Sequence, residues 1–437
     1  MRIGFLLDNQ KFKQVNCLDL QNGNPGIGGT QYSILSLIYH LSVTDLTNEY
    51  FLLVNFSDNL PGEIQSLVYE SNEDIPKVII DNQIDILILT HSSAYSDIKS
   101  LEHFNIAGCK VIIWAHNFVS RKCLNNYSGF KNIVHIVCVG HEQLDLYRDH
   151  KAFKKSTAIY NGVFSQLLNS IESGKFKNRG KEVTYIGSLI AEKGFHKLAA
   201  AWKNILDVHP TAHLNVIGSG NLYNRSTKLG HFGFAAFDYE ESFMKFLLDT
   251  DGNIIPSVRF WGVLGSQKNE ILARTKVGVP NPSGVSETFG YSAIEMQMFG
   301  ALVTTKECPG YLETVYSDSI LFKRDEELSK SVNYLLSRSD YDASETIKFI
   351  YDNFAYEIVA PKWVNLFKEI KLGKEEWNSH IIANMNFKYK WLRELNHKIK
   401  DFLPFGYRIL PSVMFFEGLA YKLKVCLKKI FGLAHCR

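Results

Sequence analysis

Paired cysteines are missing from this chain. Its 437 residues contain seven cysteines, which are scattered and never form a C-x-x-C pair. An odd number without such pairs argues against a disulfide framework and against a zinc site made from cysteine pairs. We therefore expect free thiols in a reducing compartment, and so a cytoplasmic protein.

Long apolar runs and a strong net charge are also missing. No stretch approaches the roughly 20 apolar residues that a bilayer-spanning helix needs. The formal net charge is only +3, which gives no indication of a nucleic-acid partner. With 46% hydrophobic and 21% charged residues, the composition is that of a globular protein. The length favours two domains over one.

Short apolar runs alternate with helix-period segments in both halves of the chain. Strands are predicted at residues 2–7, 50–56, 84–89, 111–114 and 133–139, and again at 182–186, 214–217, 258–261, 277–279 and 301–304. Their continuous apolar character is what a parallel sheet buried on both faces requires. The pattern predicts an α/β protein with two Rossmann-like, doubly wound domains.

The same pattern predicts where the domains begin and end. The first domain is expected at residues 1–170 and the second at 171–354. An aromatic-rich insertion falls at about 220–255; we favour a surface decoration there over a segment that contacts an acceptor or partner. Residues 355–375 are expected to form a crossover helix that returns to the first domain. Residues 376–437 are expected to form a helical tail.

The strongest site signal is the segment Asn281-Pro-Ser-Gly-Val-Ser-Glu-Thr-Phe-Gly-Tyr-Ser-Ala-Ile-Glu295. A helix that begins near Phe289 and Gly290 presents unpaired backbone N–H groups, which suit a diphosphate. Glu287 before the helix and Glu295 inside it can accept hydrogen bonds from sugar and ribose hydroxyls, respectively. An ordinary acidic helix start is the alternative.

A second signal is the glycine turn at Gly187 and Ser188, followed by Lys193 at a helix start. The Lys193 ammonium can neutralise a phosphate without a metal ion. A solvated lysine near a helix end is the alternative.

These two elements, together with Ile159-Tyr-Asn-Gly-Val163, resemble the family 4 retaining glycosyltransferases over about residues 1–370. The resemblance implies the GT-B fold, in which two Rossmann-like domains face each other across a cleft. It also implies a hexosyl- or N-acetylhexosaminyltransferase that needs no metal or other cofactor. We expect a UDP-sugar donor, with a GDP-sugar as the alternative, and a glycan or lipid-linked acceptor in surface polysaccharide or glycoconjugate biosynthesis.

By matching position, the resemblance assigns His116, Lys193 and Glu287 as catalytic residues. It assigns donor binding to Lys193 and to the following residues: Gly28, Gly29, Thr30, Gly187, Ser188, Phe289, Gly290 and Glu295. Many members carry arginine at the position of Ser188, so we expect either weaker donor binding or compensation by another base such as Lys306. The D-x-D at residues 249–251 is expected to be structural and not a metal site.

Two other functions remain open. A sugar-nucleotide epimerase can share the two-domain fold and would need no acceptor. A catalytically inactive scaffold on a membrane is the other candidate. An NAD-linked oxidoreductase is disfavoured, because the G-x-G-x-x-G fingerprint is missing after the first strand of both halves.

The tail differs in charge from the rest of the chain. Residues 378–437 contain 11 basic and 3 acidic residues, whereas the remainder contains 37 and 42. Within residues 403–431, one helix side collects Phe416, Leu419, Leu423, Leu427 and Ile430, and lysines occupy the other. Such a basic amphipathic helix can lie on an anionic membrane surface, which would make the protein peripheral on the inner membrane face. Packing on the protein body is equally open.

Overall fold

Two parallel sheets organise the molecule. The computed structural model describes residues 1–92, 101–102, 104, 108–166, 179–285, 287–377 and 388–430. The first sheet has the strand order β3-β2-β1-β4-β5-β6-β7, with β1 (Arg2–Leu6), β2 (Glu49–Val54), β3 (Gln65–Val68), β4 (Ile86–Thr90), β5 (Lys110–Ala115), β6 (Ile133–Cys138) and β7 (Ser156–Ala158). The second has the order β10-β9-β8-β11-β12-β13, with β8 (Glu182–Ile186), β9 (His213–Ile217), β10 (Val258–Gly262), β11 (Val277–Gly278), β12 (Leu302–Lys306) and β13 (Ile320–Phe322).

Every strand pair in both sheets is parallel. In each sheet the strand order reverses beside the first strand of the domain, which defines a doubly wound topology. Ile112 and Ile113 point to opposite faces of β5, and both are fully buried, because helices cover the sheet on both sides. The predicted fold class, two Rossmann-like domains with a C-terminal helical extension, is confirmed.

Helices cover the faces of both sheets. Those of the first domain are α1 (Gly29–Thr44), α2 (Ile75–Asp81), α3 (Arg121–Gly129) and α4 (His141–Asp145). The second domain contributes α5 (Phe195–Val208), α6 (Phe237–Met244), α7 (Lys268–Arg274), α8 (Tyr291–Met298), α9 (Tyr311–Thr314), α10 (Leu328–Ser337) and α11 (Ala343–Phe354). They are followed by α12 (Tyr356–Lys371), α13 (Lys390–Phe402), α14 (Gly406–Ile409) and α15 (Val413–Ile430).

Helix α12 connects the second domain back to the first, in the segment where the sequence predicts a crossover helix. Its Trp363 packs edge-on against Trp114 of β5, with 4.8 Å between ring centroids. The backbone carbonyl of Ile370 accepts a hydrogen bond of 3.0 Å from Lys110 Nζ. The end of the second domain is thereby held on the first sheet.

A buried carboxylate also joins the two domains. Glu313 of α9 accepts hydrogen bonds from the backbone N–H groups of His141 and Glu142 at 2.7 and 2.6 Å, and from the Tyr160 hydroxyl at 2.8 Å. All three donors belong to the first domain. Burial raises the pKa of Glu313, and the three hydrogen bonds only partly oppose that effect.

The insertion at 220–255 is more than a surface decoration, and the expectation stated above is wrong. Phe243 is fully buried in the core of the second domain, and Phe234 stacks on Phe260 of β10 with 4.0 Å between ring centroids. Aromatic side chains from this segment complete the core, because β10 is the edge strand and has no further strand to cover it.

The two parts of the tail behave differently. Helix α13 packs on the first domain through a buried ion pair between Arg393 and Asp145. In α15, by contrast, Phe416, Leu419, Leu423 and Leu427 are all exposed; the side chain of Ile430 lies outside the described residues. Within the described ranges, no helix is long and apolar enough to cross a bilayer.

Candidate active site

A cleft with an empty volume of about 920 Å³, including space open to solvent, lies between the two domains. Segments that follow the carboxyl ends of β1, β5, β8 and β11 line it, as expected for ligand sites of open α/β sheets. All eleven residues singled out in the sequence line this cleft: Gly28, Gly29, Thr30, His116, Gly187, Ser188, Lys193, Glu287, Phe289, Gly290 and Glu295. Their roles stay predictions.

Lys193 and Glu287 form the charged centre of the cleft. Lys193 Nζ lies 2.9 Å from Glu287 Oε2, and Asn281 Nδ2 donates to the same oxygen at 2.9 Å. The other oxygen, Oε1, accepts a hydrogen bond of 3.2 Å from the backbone N–H of Gly290. The Glu287 carboxylate is thus fixed in place by three donors before any ligand binds.

The protonation of Lys193 follows from these contacts. Burial lowers the pKa of its ammonium, but the neighbouring carboxylate of Glu287 and the hydroxyl of Tyr223 raise it more, so the net pKa lies above the ordinary value. Lys193 therefore carries a full positive charge throughout the physiological pH range. That charge is available to an anionic ligand that shares it with Glu287.

Gly290 is required by the fold itself. Its φ is +82°, in the left-handed region that favours glycine, and a Cβ added there would meet Cε1 of Tyr311 at 2.4 Å. The observed contacts explain the glycine without a ligand, although α8 does begin at the cleft as predicted.

Glu295 is paired with a lysine of its own domain that also reaches across the domain boundary. Its Oε1 lies 3.2 Å from Nζ of Lys268, and that ammonium also donates to the backbone carbonyl of Asn24 at 2.7 Å. Lys268 is almost completely buried. Asn24 precedes the Gly28 loop, so Lys268 ties this loop of the first domain to the second domain.

His116 follows β5 on the opposite wall. Its ring packs on Trp114, with 4.3 Å between centroids, and burial lowers its pKa to about 3. The imidazole is therefore neutral. Its Nε2 is buried and finds no hydrogen-bond partner among the described residues. Because an unpaired buried polar atom is costly, this nitrogen is a candidate contact for a ligand.

The Gly28 loop opens α1 at the same wall. A Cβ added to Gly29 would make only an ordinary contact, 3.6 Å from Cβ of Tyr291. At Gly28 the obstacle would be the flexible end of Gln31. The protein itself therefore tolerates side chains at these two positions, unlike at Gly290, and Thr30 completes the loop at the cleft.

Ser188 and Lys306 are not available in the way the sequence suggested. The Ser188 hydroxyl donates to the backbone carbonyl of Ser219 at 3.1 Å, so its proton is already used. Lys306 pairs with Asp325 and is not among the residues that line the cleft. The Ser188 hydroxyl is thus already committed to the protein, and Lys306 lies outside the cleft lining.

The D-x-D at 249–251 forms a turn. Oδ1 of Asp249 accepts hydrogen bonds of 2.9 Å from the backbone N–H groups of Asp251 and Asn253. Within the described part of the chain, no group of three or more His, Cys, Asp or Glu side chains is arranged to hold a metal ion.

Sequence reasoning missed several cleft residues. Asn281 adopts a φ of +34° and orients Glu287; the asparagine before a proline was its only signal. Asn161, within the quoted Tyr-Asn-Gly element, is buried, and its Oδ1 has no hydrogen-bond partner in the part of the chain that the structure describes. Tyr223, which lines the cleft, and Lys268, which pairs with Glu295, had no signal, because neither belongs to a recognised motif.

The comparisons with known proteins agree with this geometry. Residues 169–348 match the protein family described as Glycosyl transferases group 1. The chain carries a glycosyltransferase domain. No curated protein sequence matches the chain. The matched residues include the Gly187 turn, Lys193, Glu287 and Glu295, so the charged wall of the cleft belongs to this glycosyltransferase domain.

Solved structures share the two-domain fold. HepE from Anabaena, in complex with UDP-glucose, is 14% identical with a TM-score of 0.62; the match covers 84% of this chain and all of that one. A glycosyltransferase from Rickettsia africae is 13% identical with a TM-score of 0.64, covering 85% and 99%. Sucrose-phosphate synthase from Thermosynechococcus elongatus is 12% identical with a TM-score of 0.59, covering 86% and 100%. At these identities the likeness shows the GT-B fold alone.

Proposed function

We propose that this glycosyltransferase is a retaining, metal-independent enzyme of the family 4 type, which moves a sugar from a nucleotide-sugar donor to a glycan or lipid-linked acceptor. The observation that carries the proposal is the Lys193–Glu287 pair beside the start of α8, inside the interdomain cleft. A UDP-sugar is the favoured donor, since HepE, which has the same fold, binds UDP-glucose; a GDP-sugar is the alternative.

The donor diphosphate is expected to lie between Lys193 and the start of α8. The Lys193 ammonium and the unpaired backbone N–H groups of the first helical turn both attract negative charge. Negative charge develops on the diphosphate as the bond to the sugar breaks, so groups fixed there beforehand stabilise the transition state more than the bound donor. This arrangement supplies positive charge from the protein alone.

The sugar is expected to lie on the side of His116 and Asn161. The unpaired Nε2 of His116 and the unpaired Oδ1 of Asn161 are both buried and both line the cleft. One sugar hydroxyl can donate to Oδ1 of Asn161. Another can donate to Nε2 of His116 or accept from it, depending on the imidazole tautomer. Ligand binding then satisfies polar atoms that the protein leaves unpaired.

If the enzyme retains the anomeric configuration, the contacts of Glu287 favour one route to that outcome. Both its oxygens already accept hydrogen bonds, from Gly290, Lys193 and Asn281. A carboxylate held in this way is a poor covalent nucleophile. We therefore favour a same-face route. In this route the acceptor oxygen bonds to the anomeric carbon while the bond between that carbon and the leaving phosphate oxygen breaks. The acceptor proton passes to that phosphate.

The basic tail supports a membrane-proximal role. A peripheral location on the cytoplasmic face of a membrane, through residues 403–431, would bring a lipid-linked acceptor to the cleft, as surface polysaccharide or glycoconjugate assembly requires. The exposed apolar side chains of α15 are consistent with this part of the proposal.

The test is a thermal-shift and calorimetric panel of UDP-, GDP-, ADP- and CMP-sugars, with and without EDTA. Stabilisation by one nucleotide class that survives chelation is expected, and it should be lost in Lys193→Ala. NMR of the product anomer then tests retention. Conversion of the donor sugar without an acceptor would indicate an epimerase, and no binding at all would favour an inactive scaffold.

A further inference from the structure

Helix α13 is amphipathic in the reverse sense. Its buried positions are the basic residues Lys390, Arg393 and Lys400. Its exposed positions include a set of large apolar residues that we call the Trp391 stripe: Trp391, Leu395, Ile399 and Phe402. Their spacing of four, four and three residues places them on one face of the helix. Trp391 is 67% and Phe402 86% exposed. A helix of a soluble protein normally buries such a face.

The polar face of α13 is fixed on the first domain. Arg393 Nη2 and Nε donate to Oδ2 of Asp145 at 2.6 and 2.8 Å, with both side chains almost fully buried. Asn396 Nδ2 donates to Oδ2 of Asp149 at 2.7 Å, and Lys400 Nζ donates to the Asp149 carbonyl at 2.5 Å. Rotating α13 to bury its apolar face would break the buried Arg393–Asp145 ion pair and leave Asp145 to its other partner, Arg148, which is unfavourable. The outward direction of the Trp391 stripe is thereby specified.

The apolar surface continues beyond α13. Phe405 and Ile409 are each 69% exposed, and α15 adds Phe416, Leu419 and Leu423. An apolar surface of this extent in a soluble protein marks an interaction site. Where its burial is described, this extension exposes one acidic residue, Asp401, and five basic residues: Lys388, Lys398, Arg408, Lys422 and Lys424.

We infer that the Trp391 stripe inserts into the interfacial layer of an anionic lipid bilayer. Tryptophan and other large apolar residues on one side with lysine and arginine around them are typical of helices that lie in that layer. The surrounding basic charge favours anionic lipid headgroups over an uncharged protein surface. This inference extends the membrane-binding surface of the protein beyond residues 403–431. Its link to a lipid-linked acceptor rests on the proposed function.

The position of α13 relates the membrane to the cleft. It packs on α4 through Asp145, and in the same helix Gln143 Nε2 donates to the carbonyls of Ala115 and Asn117 at 2.8 and 2.9 Å. These two residues flank His116. A bilayer at the Trp391 stripe would therefore be held in a fixed orientation relative to the first-domain wall of the cleft.

The test uses the full chain with phosphatidylcholine–phosphatidylglycerol vesicles whose acyl chains are brominated. Bromine quenches tryptophan on contact, and Trp391 is the most exposed of the six tryptophans, since Trp261 is only partly exposed and the others, Trp114, Trp202, Trp363 and Trp377, are buried. We expect vesicles to quench the wild type, and we expect this quenching to be lost in Trp391→Phe.

Partition onto the same vesicles gives a second measurement. The variant Leu395→Ser/Ile399→Ser/Phe402→Ser is expected to bind them about 100-fold more weakly, because three large apolar side chains lose their burial in lipid. The matched control Leu46→Ser/Leu372→Ser changes residues that are 92% and 77% exposed but lie outside the extension. It should bind as the wild type does.

Three results would overturn the inference. The first is vesicle binding without quenching of Trp391, which would leave α15 as the contact. The second is no vesicle binding at all. The third is a dimer that only the triple variant abolishes, which would make a second copy of this chain the partner. Calorimetry of UDP-sugars in buffer on the same proteins keeps the two proposals separate. Lost nucleotide binding with retained quenching would reject the proposed function and leave the membrane surface.

Discussion

The two walls of the cleft differ in charge. The second-domain wall carries ion pairs that exist before a ligand arrives, Lys193 with Glu287 and Lys268 with Glu295. The first-domain wall offers the glycine loop that opens α1 and the neutral imidazole of His116. This difference indicates a division of labour, in which the charged wall receives the diphosphate and the neutral wall orients hydroxyl groups.

Removing the charge of the second wall should have the largest effect. We expect Lys193→Ala to lower kcat/KM for the donor by about 10³-fold, because a fixed positive group next to the leaving diphosphate is lost. Lys197→Ala is the matched control, since Lys197 lies one turn further on, pairs with Asp325 and is not among the residues that line the cleft. Steady-state kinetics that show equal losses in both variants would contradict the division.

Changing the neutral wall should have a smaller effect. We expect His116→Ala to reduce kcat/KM by about 10- to 100-fold, the cost of one hydrogen bond to a buried neutral group. Because the pKa of His116 is about 3, its charge does not change between pH 5 and 9. The pH–rate profiles of wild type and variant should therefore have the same shape in that range. A limb near pH 6.5 that disappears in the variant would show that the imidazole is not neutral in the working enzyme.

A substitution in the glycine loop that opens α1 should affect donor binding without affecting the stability of the fold. Gly29→Ala should leave the melting temperature almost unchanged, since the added methyl group meets only an ordinary contact. It should weaken donor binding by about tenfold if the bound donor approaches the backbone of this loop closely. Calorimetry and thermal unfolding of the same sample measure both. At Gly290 the outcome should be reversed, with alanine destabilising the fold, because of its positive φ and the contact with Tyr311.

The smallest effect concerns the domain contact behind the neutral wall. Glu142 is buried, and neither of its carboxylate oxygens finds a hydrogen-bond partner among the described residues. Burial, helped by the nearby charges of Glu313 and Asp145, raises its pKa from 4.5 to about 7. Between these values the folded protein binds more protons than the unfolded chain, so stability falls as pH rises through that window.

Glutamine at this position carries no titrating proton. Glu142→Gln should therefore gain stability over the wild type as pH rises from 4 to 8, by about 1 kcal/mol. Urea unfolding at both pH values measures the change. An advantage that stays constant between pH 4 and 8 would show that Glu142 does not titrate there.

The sequence predicted most of the fold because buried parallel strands have a strong signal. The strand Glu182–Ile186 was placed at its observed bounds, whereas the edge strands β3, β7 and β13 were missed. Strand β3 is half-exposed with polar Gln65 and Ser66, and β7 and β13 have three residues each. At an edge, neither continuous apolar character nor alternation is required, so neither can be read from the residues.

The candidate site was predicted as a set of residues but not as a set of contacts. Glu287 and Lys193 are 94 residues apart, and their ion pair depends on two strand ends meeting at one sheet edge. That meeting follows from the fold class. The pairing of Glu295 with Lys268 does not, because α7 has no motif that places it there. Likewise, the exposed apolar face of α13 was not predicted. In sequence, its apolar stripe has the same spacing as the buried face of any helix.

The Glu313 contact has a consequence for sequence divergence. Two of its three donors in the first domain are backbone N–H groups, which every residue except proline supplies. Only Tyr160 contributes a side chain. The first domain can therefore exchange the side chains at positions 141 and 142 while its docking to the second domain persists. An enzyme built in this way can change what its first domain recognises without redesigning how its halves meet.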